Sequence, residues 1–191
     1  MSPRTSEQFK KIRDDKKNII LRAALEEFAE KSFQGASISA IAKRAGISKG
    51  LVYNYFLNKE DLLEQIINKA WDSISGLFPN NNKNGLSPYE FQDIIDMNFE
   101  LLKKDYRFWK LYFSIAMQPA SIKFLEKKMP EFISEFLNVF VTYYKQKGSV
   151  NPEAEAILLG AVLDGVSLNY ILNPDTFPIN EVKQMIIEKF K

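Results

Sequence analysis

Residues 37–62 read S-I-S-A-I-A-K-R-A-G-I-S-K-G-L-V-Y-N-Y-F-L-N-K-E-D-L. Two short helical segments meet here at Ala45-Gly46-Ile47. Ser37 stands where a cap opens the first, and Ser48 where one opens the second. Gly46 supplies the left-handed backbone conformation of a tight helix-to-helix turn, which Gly adopts without a Cβ penalty. In the first segment Ile38, Ile41, Ala42 and Ala45 face inward. Ile41, Ala42, Ile47, Val52 and Phe56 are spaced to pack against a preceding helix. That leaves Ser48, Lys49, Gly50, Leu51, Tyr53, Asn54 and Tyr55 for an outer face.

The preceding helix is legible in residues 16–33. Ile20, Leu21, Ala24, Leu25, Phe28 and Ala29 form one apolar stripe, and Gly35 ends it. On the other side Asn58 opens a long helix. Asn58 is its N-cap and Asp61 sits at N3, an approximate capping box, with Leu57 and Leu62 placed as a hydrophobic staple. This helix carries Leu62, Leu63, Ile66, Ile67, Ala70, Trp71 and Ile74 toward Pro79, and Asn80 to Gly85 read as a polar loop. Further helices read at about 88–104, 106–117, 121–128, 130–147, 152–172 and 179–190. Their breaks are Pro119, Pro130, Gly148, Pro152 and Pro174. No stretch alternates with period two for long enough to argue for a sheet. The fold class is all-α. A three-helix module over residues 1–60 precedes a larger helical bundle over 61–191.

Composition narrows the chemistry. The 191 residues include no Cys and no His. Disulfides, thiolate metal sites, thiol nucleophiles and imidazole-based catalysis or metal ligation are all excluded. Residues 1–60 hold 12 Lys and Arg against 7 Asp and Glu, a net +5; the remainder hold 14 against 17, a net −3. Either a surface that meets a polyanion or a solvated Lys-rich arm fits that asymmetry. The polar start, M-S-P-R-T-S-E-Q-F-K-K, has no apolar leader, and the apolar run at Ile157 to Val162 falls short of the roughly 20 residues of a membrane helix. A soluble, cytoplasmic protein with no membrane association is expected.

A short helix exposing a Lys, an amide and two tyrosines suits a reader of the DNA major groove. The segment G-I-S-K-G-L-V-Y-N-Y-F-L-N-K-E-D-L closely resembles the DNA-binding signature of the tetracycline-repressor (TetR) family, over about residues 16–63. The resemblance implies a homodimeric transcriptional regulator on double-stranded, palindromic operator DNA. It also implies a helical domain that binds a small-molecule effector and dimerises through its last two long helices. By the same resemblance Ser37 caps the second helix and touches a phosphate. Ser48, Lys49, Gly50 and Asn54 approach base edges, and Tyr53, Tyr55 and Lys59 hold phosphates. Leu51 departs from the family, where Thr is frequent; it exchanges a polar base contact for an apolar one to a thymine methyl.

The resemblance further implies an effector cavity. Trp71, Phe99, Trp109, Tyr112, Phe113 and Met117 are its candidate wall, drawn from an aromatic-rich stretch whose side chains also suit a core. The 152–172 helix is apolar all round, so it is buried on more than one side. Leu159, Gly160, Leu163 and Val166, with Ile186, are the candidate dimer interface. Asp93, Asp96 and Glu100 share a helical face, but with no histidine and with Lys103 and Lys104 nearby they read as solvated. No metal site, cofactor or catalytic residue is expected. The function expected is a repressor released from its operator by a small apolar or aromatic ligand; the alternative is a helix-turn-helix regulator without small-molecule control.

Overall fold

A computed structural model describes residues 5–78 and 85–191. Among these the secondary structure is helical, with no strand. The helices are α1 (Ser6–Gly35), α2 (Ile38–Arg44), α3 (Lys49–Tyr53), α4 (Lys59–Ser75), α5 (Pro88–Lys104), α6 (Tyr106–Ala116), α7 (Pro119–Gln146), α8 (Pro152–Leu172) and α9 (Ile179–Phe190). The expected end of α4 near Pro79, and most of the Asn80–Gly85 loop, lie outside the described residues.

The chain forms two compact units. The first comprises residues 1–69 together with 114–124; the second comprises 70–113 and 125–191. The first unit therefore extends past residue 60 and takes in a short stretch from much later in the chain. α4, α6 and α7 each contribute residues to both units.

In the first unit, α1 packs on α2 and α2 on α3. Ile20, Leu21, Ala24, Leu25 and Phe28 of α1 are buried with Ile41, Ala42, Val52, Phe56, Leu62 and Ile66. This is the apolar stripe read from the sequence. α1 starts earlier than that stripe, at a capping box in which Thr5 Oγ1 accepts from Gln8 N–H and the Gln8 side chain accepts from Thr5 N–H. Its end also differs from expectation. The helical path breaks at Ser32, with φ 59° and ψ 166°, and not at Gly35. That combination is one that Gly adopts readily and Ser does not.

In the second unit, α9 packs on α5 and α8. Ile94, Ile95, Phe99, Leu159, Leu163, Ile186 and Ile187 are buried, and a Lys183–Asp96 ion pair ties α9 to α5. A ring cluster of Phe78, Phe91, Phe136, Phe140 and Tyr143 fills another part; the Phe91 and Tyr143 rings stack at 4.8 Å. The break expected at Pro130 does not occur. α7 runs through it as one helix. Pro130 cannot donate to the carbonyl of Glu126, but both residues are exposed, so water can replace the missing bond.

α8 is long and apolar enough, by length and composition, to cross a membrane. The expectation that no stretch reaches that length is corrected here. Its inner face nonetheless packs into the second unit through Ala156, Leu159, Leu163, Tyr170 and Ile171.

A helix-turn-helix and its supports

Ser37 Oγ accepts from Ala40 N–H at 3.1 Å, capping α2. Ser48 Oγ accepts from Leu51 N–H at 3.2 Å, capping α3. Between them Gly46 takes φ 66°, and the chain reverses in three residues. Arg44 locks the end of α2 onto α1. Its guanidinium reaches both carboxylate oxygens of Glu30, at 2.9 and 2.6 Å, and also bonds Glu27 and Glu26. Those bonds hold the Glu30 carboxyl below its ordinary range and raise the guanidinium further. Glu27 is buried, so this pairing is what makes a carboxylate tolerable there. None of these partners was legible in the sequence, because 14 to 18 residues separate them from Arg44.

With Val52 and Phe56 turned into the core, α3 presents its other side outward. Ser48, Lys49, Gly50, Tyr53 and Asn54 are exposed; Leu51 and Tyr55 are half-buried. Arg13 of α1 lies over the Tyr55 ring at 5.8 Å. A Cβ built on Gly50 would meet nothing within 4 Å. Gly inside a helix costs about 0.5–1 kcal/mol relative to Ala, and here no contact within the chain requires it. The open space around Gly50 suits the close approach of an external surface.

Lys59 does not present its charge outward. Its ammonium donates to the carbonyls of Phe33 (2.8 Å), Gln34 (3.4 Å) and Ala36 (2.8 Å) and lies 4.8 Å from the centre of the Phe33 ring. All three donors are taken, so the expected phosphate contact is corrected: Lys59 caps the frayed end of α1. The start of α4 is corrected in part. Asn58 Oδ1 accepts from Asp61 N–H at 2.8 Å, an N-cap bond, but the Asp61 carboxylate reaches back to Leu57 N–H and not to Asn58. Leu57 is 81% exposed and forms no staple.

Of the candidate cavity residues, the second unit brings several together. Tyr112 is buried and accepts a hydrogen bond from the Trp71 indole. Its ring lies 5.7 Å from Trp109, 5.9 Å from Phe113 and 6.2 Å from Phe108, the last not anticipated. Burial pushes the Tyr112 hydroxyl above the ordinary phenol range, so it stays protonated. Trp109 spends its indole N–H on the Leu101 carbonyl at 3.3 Å. Phe99 is fully buried on α5. Met117 is corrected: it is 73% exposed and belongs to the first unit.

Three of the candidate interface residues also need correction. Leu159, Leu163 and Ile186 are buried in the second unit's own core, and Gly160 and Val166 are half-buried. The apolar face that α8 leaves open is the opposite one: Ile157 (57% exposed), Leu158 (55%), Ala161, Gly165, Leu168 and Leu172, with Met185 exposed on α9. Asp93 is exposed, Asp96 pairs with Lys183 and Glu100 with Lys103, and no group of side chains suited to a metal occurs among the described residues.

Residues 20–66, from α1 through the helix-turn-helix into α4, match the model of the family described as bacterial regulatory proteins, tetR family. Over these residues the chain is similar to that family's DNA-binding module. It is similar to the HTH-type transcriptional regulator BetI 1 of Chromohalobacter salexigens, at 27% identity over 87% of this chain and 84% of the relative. It is likewise similar to the fatty acid metabolism regulator protein of Bacillus subtilis, at 23% over 88% and 90%. Its fold matches the solved structure of the transcriptional regulator FadR from Bacillus subtilis in complex with stearoyl-CoA: TM-score 0.69, 22% identity, 90% of this chain and 96% of that one. The regulator is thus an all-α, helix-turn-helix transcription factor, with its DNA-reading module in the first unit.

Proposed function

We propose that this regulator is a cytoplasmic repressor that grips two-fold-symmetric operator DNA as a homodimer and releases it when a small apolar or aromatic molecule enters the second unit. The exposed row Ser48, Lys49, Gly50, Tyr53 and Asn54 carries the DNA reading. It is a polar, amide-bearing surface on a short helix whose one glycine has no internal purpose. Ser37 retains a hydroxyl hydrogen, and Tyr53 and Tyr55 carry phenol groups, each able to donate to a phosphate. No catalytic role enters this reading.

The second copy docks on the open face of α8 and on Met185. A largely apolar surface of this kind, interrupted at Asp164, is covered in a soluble protein, and Ala161 and Gly165 allow two helices to approach closely. The aromatic group around Tyr112 is the effector site. Its protonated hydroxyl accepts from Trp71 and is free to donate to an oxygen of a bound molecule. FadR of Bacillus subtilis holds stearoyl-CoA in its solved complex, a molecule with a long apolar chain. α4 carries Trp71 in the second unit and Lys59 in the first, so an effector that displaces Trp71 acts on a helix shared with the reader.

Thermal-shift screening of the full chain against acyl, aromatic and amphiphilic compounds should find a stabilising molecule. Its affinity should fall when a bound duplex is present, by the same factor by which it weakens DNA binding. A coupling of about 1–3 kcal/mol gives about 5–150-fold. Equal affinity with and without DNA for every binder would leave a regulator without small-molecule control.

A further inference from the structure

The first turns of α1 are not used by the helix-turn-helix core. Burial on α1 begins at Ile20, so Ser6 to Ile19 extend the helix by 14 residues, roughly 21 Å at 1.5 Å per residue. Within that extension three cations share one edge. Lys10, Arg13 and Lys17 fall at i, i+3 and i+7, one side of the helix. Glu7 and Asp14 border that side, three residues before and four after Lys10, while Lys11 and Asp15 fall further round the helix. No described carboxylate lies within ion-pair distance of Lys10, Arg13 or Lys17. The basic side is also the side that meets the reader. Arg13 lies over the Tyr55 ring at 5.8 Å and Lys17 over the Phe56 ring at 5.9 Å, both at the end of the recognition segment.

We infer that the Lys10–Arg13–Lys17 stripe is a second DNA-contacting surface, which binds backbone phosphates of the duplex flanking the sequence that α3 reads. The inference rests on the DNA-binding reading above and adds a site to it. Three cations on one edge, continuous with Tyr55 and held in no described ion pair, complement a row of phosphates. The neighbouring Lys11 carries the same charge on the wrong side. Arg13 links the two surfaces, since its guanidinium stacks on Tyr55 and keeps its edge donors for a phosphate. The contact is indifferent to sequence and lengthens the footprint on each flank.

The pair Lys10→Gln and Lys11→Gln tests this, because the two variants lose the same charge from adjacent positions. The probe is a duplex that the full-length wild type recovers from a random pool, used at full length and trimmed to its half-sites. On the long duplex K10Q should lower the log–log salt slope by about 0.9 per subunit, the value for one neutralised phosphate. K11Q should leave the slope unchanged, and circular dichroism should show both variants fully helical. On the trimmed duplex K10Q and wild type should coincide. Equal slopes for wild type and K10Q on the long duplex, or an equal loss in K10Q and K11Q, overturn the inference while DNA binding itself stands. If the wild type recovers no duplex, both the inference and the DNA-binding reading fall.

Discussion

The side-chain carbonyl of Gln118 accepts the backbone N–H of Phe33 at 2.9 Å. The same amide donates to the Phe28 carbonyl at 3.2 Å and the Ser114 carbonyl at 3.4 Å. Ser32 breaks the helix between Phe28 and Phe33, so this one side chain supplies a donor and an acceptor to the broken turn. Gln118→Leu keeps the bulk and leaves both groups unpaired in a part-buried site, at a cost of about 1–3 kcal/mol. Gln118→Glu retains the acceptor for Phe33 and loses the donor to Phe28, so it should fall between. Urea unfolding of the three proteins checks the order.

Lys59 should prove structural. Lys59→Met leaves the carbonyls of Phe33, Gln34 and Ala36 without their donor and should lower stability by about 1–3 kcal/mol. The salt slope of DNA binding should not change. The opposite pattern, full stability with a slope lowered by about 1 per subunit, would restore Lys59 to the phosphates.

The Glu30–Arg44 pair sets a pH dependence. The folded state holds the Glu30 carboxyl below its ordinary value of 4.5, chiefly through the hydrogen bonds from Arg44. Stability from this source is fully present above the unfolded value and is lost as pH falls through the lowered one. Glu30→Gln should therefore be less stable than wild type near neutrality, and the two should converge in acid. Urea midpoints across pH 3 to 7, at fixed ionic strength, read this directly; a difference that grows in acid would contradict the assignment.

Leu158 and Leu163 should separate dimerisation from folding. Leu158 is exposed on the open face of α8 and Leu163 is buried. Leu158→Glu should give a folded monomer, because a charge in the proposed interface would stand unpaired against its copy. Leu163→Ala should cost about 2–5 kcal/mol of stability instead. Sedimentation of L158E as a dimer would move the interface elsewhere.

The helices, the turn at Gly46 and the outward face of α3 were legible because each rests on local signals. A cap, a positive φ and a periodic stripe all lie within a few residues of one another. What the sequence hid depends on distance along the chain. Lys59 meets carbonyls 23 to 26 residues away, and Gln118 meets Phe33 across 85. No spacing rule reaches that far. α8 failed for another reason: a helix apolar on all sides has no periodicity to say which side is core. Sequence alone therefore cannot separate the inner side, Leu159 and Leu163, from an interface. Pro130 suggests a break, but an exposed proline does not end a helix where the carbonyl it orphans, here that of Glu126, meets water.

The most direct test of the account is a selection of random duplex DNA by the full-length wild type and by Lys49→Ala. The wild type should enrich a two-fold-symmetric sequence whose half-sites lie on one face of the duplex, about 34–36 Å apart or a multiple of it. K49A should bind the same sequence with preference relaxed at one position per half-site, by about 1–3 kcal/mol. Enrichment of no sequence by the wild type, or an unchanged preference in K49A, would contradict the assignment of the exposed face of α3 as the reader.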